Sequence, residues 1–124
     1  MERRAWWMLG LVLLLGGCGY GDVEKTAMAL TGGDPKQGPA LIHKYGCGAC
    51  HNIPGVDGAR GMVGPPLDTI ASRSYLAGQL PNTPENLMLW IRKPQDVEAG
   101  TAMPDMGVTE KDGRDIAAYL YTLR

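Results

Sequence analysis

Cys47-Gly48-Ala49-Cys50-His51 decides how the rest of the chain is read. Two thiols two residues apart, with an imidazole directly after the second, is the spacing that attaches a c-type haem. Each cysteine adds to one vinyl group through a thioether, and the two-residue gap lets one helical turn reach both vinyls. The histidine is then held beneath the iron as its proximal ligand. Two other chemistries use Cys-x-x-Cys. A structural zinc site needs four closed ligands, and outside the motif there remain only Cys18, in a targeting segment, and His43, with no second ligand pair near it. A dithiol redox centre needs the pair to open a helix after a hydrophobic strand. Here Leu41-Ile42-His43-Lys44-Tyr45-Gly46 continues a helix instead. Haem attachment through Cys47 and Cys50 is the reading carried forward, with disulfide exchange and zinc as its alternatives.

Downstream of the motif, Asn52 to Leu67 is rich in Gly and Pro and has neither helical nor strand period, so it reads as a loop wrapping something. It ends in Gly64-Pro65-Pro66-Leu67, a rigid extended piece. The Pro65 carbonyl can accept a hydrogen bond from the Nδ1–H of a proximal histidine, which needs such an acceptor. The plainer reading is a turn. Arg73, after the apolar Ile70-Ala71, is either solvated or paired with a haem propionate. A turn at Leu80-Pro81-Asn82 leads to a helix with Thr83 as N-cap and Pro84 in its first position. Leu87, Trp90 and Ile91 share one face, ordinarily plain core, and Lys93-Pro94 ends the helix.

The stretch Gly100-Thr101-Ala102-Met103-Pro104-Asp105-Met106-Gly107 has no helical period and no core face for its two methionines. A haem with one histidine still lacks a distal ligand. A thioether from this loop, neutral and soft, would favour ferrous iron and raise the potential. The last helix starts at Thr109, with Asp112 three residues on, and buries Ile116, Tyr119, Leu120 and Leu123.

Upstream, Asp34 caps a helix with Pro35 in its first position. The helix runs to about Lys44 and tolerates Pro39 only because early amides lack intrahelical partners. Its stripe is Leu41, Ile42 and Tyr45, and Gly38 leaves room for the last helix to pack closely. No segment shows a strand period, so the expected fold is all-α with long loops.

The chain opens on a processing segment. Arg3 and Arg4 precede an apolar stretch, Ala5 to Leu15, too short to cross a bilayer. Leu15-Gly16-Gly17-Cys18 resembles a bacterial lipoprotein signal, in which the cysteine is lipidated and becomes the first mature residue. The alternatives are an ordinary cleaved signal or an uncleaved anchor. Removing residues 1–17 from the 124 leaves 107, one small domain with ten basic and twelve acidic side chains. Nothing there argues for nucleic acid or disorder. The chain holds no Phe, and a buried haem would supply the missing aromatic bulk. Residues 18–33 read as a flexible tether holding at most a short amphipathic turn. As coil it would average roughly 20 Å and reach about 50 Å drawn out. The domain proper is 34–124.

Over Asp34 to Arg124 these residues resemble class I monohaem cytochrome c. Cys47-Gly48-Ala49-Cys50-His51, Gly64-Pro65-Pro66-Leu67, Arg73, Pro94 to Met103 and Ile116 to Leu120 carry the likeness. It implies a small cytochrome c fold, three to five helices and long loops around one covalently attached haem. It also implies Met103 and not Met106 as the second iron ligand, and Pro65 as acceptor for His51. Arg73 falls near a propionate, Thr101 is hydrogen-bonded nearby, and Trp90 lies against the haem. The stretch also looks like bacterial cytochrome c domains encoded with, or fused to, haem-copper oxidase subunits, Leu80-Pro81-Asn82-Thr83-Pro84-Glu85-Asn86 included. The lysine ring that guides mitochondrial cytochrome c is not evident, with Asp96 and Ala102 in that region.

The expectation is an electron carrier and not an enzyme, lipid-anchored through Cys18 on the periplasmic face of a bacterial cytoplasmic membrane. It would work in a respiratory chain between a quinol-oxidising complex and a terminal oxidase, with no nucleic acid or small-molecule substrate. A haem-based sensor or peroxidase-like enzyme with a dissociable methionine, and a thiol-disulfide oxidoreductase, are the other readings.

Overall fold

The computed structural model describes residues 19–124; the signal segment 1–17 and Cys18 lie outside the described residues. Five helices appear among them: α1 (Tyr20–Thr31), α2 (Gly38–Lys44), α3 (Pro84–Arg92), α4 (Pro94–Val97) and α5 (Glu110–Leu120). One antiparallel hairpin, β1 (Tyr75–Leu76) with β2 (Leu80–Pro81), and 3-10 turns at Pro35–Gln37, Cys47–Ala49 and Ile70–Ser72 lie in the loops. The all-helical expectation holds apart from that hairpin.

α5 is the element on which α1, α2 and α3 pack. Thr109 caps it as expected, its hydroxyl accepting from the Asp112 amide at 3.1 Å. Ile116, Ala117, Ala118 and Leu120 are buried along it, with Tyr119 and Leu123 packed partly buried against the core. The crossing with α2 is close because residue 38 is glycine: a Cβ there would lie 2.7 Å from Tyr119 Cγ. Tyr45 Oη donates to Asp112 at 2.7 Å, and Lys44 pairs with the same carboxylate at 3.2 Å. At the other end of this contact Asp115, buried, accepts from the Asp34 amide at 2.8 Å and from Lys111 at 2.7 Å. Both its oxygens are thereby partnered, as burial of a carboxylate demands.

Three local expectations change. The tether is in fact helix α1: Ala27 and Thr31, one turn apart, are buried where α1 meets α5 and α3, and Gly32 ends it in a left-handed conformation. The glycines on either side had suggested coil, but Ala, Met, Leu, Glu and Lys between them are good helix formers with a small-residue seam. The helix expected from Asp34 is divided, because Pro39 brings no N–H: a 3-10 turn at Pro35–Gln37 leads into α2. The turn expected at Leu80-Pro81-Asn82 lies earlier, at Ala77-Gly78. Both of those residues have positive φ (50° and 70°) and Gln79 N–H bonds Leu76 O at 3.0 Å, so Leu80 and Pro81 form strand β2. Two-residue strands carry no readable period.

Candidate functional site

The 3-10 turn after Gly46 aims the two thiols and the imidazole into one place. The Cys50 amide bonds Cys47 O at 3.2 Å and the His51 amide bonds the same carbonyl at 3.0 Å. Both thiols are free and half-buried, and burial pushes the Cys47 thiol up. The chain then folds back on itself: the Gly64 amide bonds Cys50 O at 2.7 Å and the Leu67 amide bonds Asn52 O at 2.9 Å. This return sets the Pro65 carbonyl 2.7 Å from His51 Nδ1. A carbonyl only accepts, so the ring donates from Nδ1, the arrangement that in a neutral imidazole leaves the Nε2 lone pair for a metal. Gly64 is where the return passes the ring, and a Cβ there would stand 2.7 Å from Nδ1.

These residues border a cavity of about 310 Å³, within the range of ligand pockets. Cys47, Cys50, His51, Pro65, Arg73, Trp90, Thr101 and Met103 all line it. The helix face holding Trp90 divides: Leu87 and Ile91 are core, while Trp90 is half-buried at the pocket. Arg73 donates from Nη2 to the Pro66 carbonyl, which fastens it to the extended piece, and a guanidinium has further donors to offer. Thr101 Oγ1 accepts from the Met103 amide at 3.4 Å. Met103 is half-buried, whereas Met106 also lines the pocket but is 47% exposed. Among the described residues no three His, Cys, Asp or Glu side chains converge on a metal-sized site, so nothing there builds a zinc tetrad.

Two residues that hold the pocket were missed in the sequence. Asn82, expected only in a turn, donates from Nδ2 to Ile70 O and Arg73 O, each at 2.8 Å, and accepts from Tyr121 Oη at 2.9 Å. Gln95 sits on α4, a turn of helix beyond the expected stop at Pro94. It donates from Nε2 to Thr101 O and Met103 O, each at 2.9 Å, and its Oε1 accepts from the Gly100 amide at 3.1 Å. An amide one residue after a proline in a four-residue helix has no periodic signal to reveal it.

The Cytochrome c family model matches residues 35–124. The chain belongs to the cytochrome c family. Membership implies covalently bound haem c, and the donor set fits it: an imidazole with Nδ1 already committed, two thiols at the same rim, and a half-buried thioether in an apolar cavity. The cytochrome c domain is 35% identical over 89 residues to cytochrome c oxidase subunit 2 of Alkalihalophilus pseudofirmus, covering 71% of this chain and 25% of that protein. It is 31% identical over 93 residues to cytochrome c oxidase subunit 2 of Bacillus sp. strain PS3, covering 72% and 26%. The chain thus spans about a quarter of the length of the curated relatives it matches. The expected likeness to oxidase-associated cytochrome c domains holds.

Proposed function

We propose that this chain is a membrane-anchored electron carrier with one haem c, delivering electrons to a terminal oxidase. Cys47 and Cys50 would hold the haem through thioethers, and His51 and Met103 would bind its iron, leaving the protein no ligand position to offer a substrate. When bound, the group supplies one-electron exchange between ferric and ferrous iron. The protein's part is to hold it still and dry. Pro65 keeps the His51 ring oriented and strengthens its donation. Arg73 would pair with a propionate and Trp90 would lie against the haem, both lining the cavity, and Thr101 steadies the methionine loop. The reading rests above all on one observation: eight residues scattered from Cys47 to Met103 line a single cavity. The named relatives, oxidase subunits, support an oxidase as acceptor. A quinol-oxidising complex is the proposed donor.

Val63, Tyr75 and Met106 line the pocket while remaining exposed, and this apolar rim is the proposed exit for the electron. Residues 1–17 are proposed as the signal and Cys18 as the lipidated residue, on the periplasmic face of the cytoplasmic membrane. Among the described residues no helix is long and apolar enough to cross a membrane; the attachment proposed is the lipid on Cys18, on the strength of the Leu15-Gly16-Gly17-Cys18 sequence. Only Gly19 separates Cys18 from α1, about 18 Å of helix docked on α5. An anchor there holds the domain at a set distance, without the reach of a loose tether. Disulfide exchange is disfavoured because α2, and no strand, precedes Cys47, whose thiol is pushed up and not down.

A pyridine haemochrome spectrum after acid-acetone extraction tests the attachment: the haem should stay with the protein. If it is extracted, the role of the two cysteines is wrong. Stopped-flow oxidation of the reduced protein by a purified terminal oxidase tests the acceptor, and failure to transfer electrons overturns it.

A further inference from the structure

The loop carrying Met103 is tied down by a side chain that lies outside the pocket. Among the described residues, the bonds reaching the 100–105 backbone from beyond the loop include three from the Gln95 amide, to Gly100 N–H, Thr101 O and Met103 O. Lys93 adds an exposed ion pair to Asp105 at 3.0 Å. Inside the loop the Thr101 amide bonds Glu98 O at 3.1 Å and the Met103 amide leans on the Thr101 hydroxyl at 3.4 Å. Gly100, Ala102, Pro104 and Asp105 are exposed, so apolar burial contributes little to holding the segment.

Gln95 is itself exposed. A long polar side chain at the surface is costly to order, yet this one commits both N–H donors and its oxygen to a single neighbouring loop. The two carbonyls it bonds include that of Met103, so it fixes the backbone from which the thioether reaches.

We infer that Gln95 is a positioning residue that keeps the Met103 loop closed, and so sets how readily a foreign ligand displaces the methionine. This rests on Met103 being an iron ligand. Because the bonds are at the surface and bury nothing, their loss opens the loop without unfolding the domain. The apparent affinity of an incoming ligand scales with the open fraction.

The test uses the full-length, haem-loaded protein in detergent. Ferric protein is titrated with imidazole while the near-infrared sulfur-to-iron absorption is followed. In parallel, amide hydrogen exchange is measured over residues 98–107. Gln95→Ala should bind imidazole about tenfold tighter and exchange the Gly100 and Met103 amides about tenfold faster, with the thermal midpoint unchanged. Gln95→Glu, which keeps the acceptor for Gly100 N–H but loses both donors, should shift both readouts the same way. Unchanged affinity and exchange in Gln95→Ala, or changes matched by a drop in thermal midpoint, overturn the inference while Met103 ligation stands. A wild-type protein without the sulfur absorption overturns Met103 ligation, and this inference with it.

Discussion

Asn82 and Gln95 are both side-chain amides that make three hydrogen bonds and brace segments lining the pocket, and their surroundings differ. Asn82 is half-buried and bonds Ile70 O, Arg73 O and Tyr121 Oη, next to the buried side chains of Ile70 and Tyr121. Gln95 is exposed and bonds only the loop of Met103. The same contrast separates the histidine and methionine segments. The segment of His51 is held by backbone bonds over buried Ile53, Val56 and Ala59, while that of Met103 hangs from surface side chains. A buried amide ties its loop to the global unfolding of the domain; an exposed one leaves its loop a separate, lower free energy of opening.

That difference is breakable. Gly64→Val should do the most damage, because the added atoms meet the His51 ring and push it from Pro65 O. Overpacking of this kind costs about 3 kcal/mol, read as a thermal midpoint lower by about 12 °C or more in the loaded protein. A midpoint within a few degrees of wild type would mean that the histidine segment is softer than described. Asn82→Ala comes next. It strands two carbonyls and a hydroxyl beside the core, for a loss of about 2 kcal/mol in denaturant unfolding. If the loss is no larger than that of Gln95→Ala, burial does not distinguish the two amides.

Met103→Ala should lower global stability by only about 0.5 kcal/mol, yet abolish the sulfur absorption and let the reduced protein bind carbon monoxide at neutral pH. Retention of that absorption would move the ligand elsewhere in the chain.

The smallest effects are in acid. Asp112 is held below the usual carboxylate range by the Tyr45 hydroxyl first and then by Lys44. Asp105 is lowered by the Gly107 amide and by Lys93. A depressed folded pKa stabilises above the unfolded value, about 3.9, and that stabilisation is lost as pH falls through the lowered value. Asp112 joins α2 to α5, so Asp112→Asn should flatten the fall of the thermal midpoint below about pH 4. Asp105 is on the methionine loop, and Asp105→Asn should leave that midpoint curve unaltered. Equal effects from the two would erase the distinction between core-linked and loop-linked carboxylates.

Much of the site was readable because its parts announce themselves locally. Cys47, Cys50 and His51 are spaced by the chemistry of one helical turn. The caps at Thr83 and Thr109 lie three residues from the amides they accept. Gly38 announced a close helix crossing, and Tyr119 fills it. What escaped was set by partners that composition does not name. Helix α1 was mistaken for tether because its flanking glycines spoke more loudly than its two buried positions, Ala27 and Thr31. Helical period put Trp90, Leu87 and Ile91 on one face; only the family resemblance set Trp90 apart, and the cavity shows it as the one of the three that lines the pocket.

By itself, then, the sequence determined the attachment motif and the caps of α3 and α5, since each depends on residues within a turn of one another, and the family, through several short motifs each legible where it stands. Only the tertiary structure decided that Asp115 receives the Asp34 amide, that Tyr121 backs Asn82, and that Gln95 grips the methionine loop. Such contacts have no periodic signature along the chain. They arise when packing removes water from a polar group and leaves it a protein partner to find.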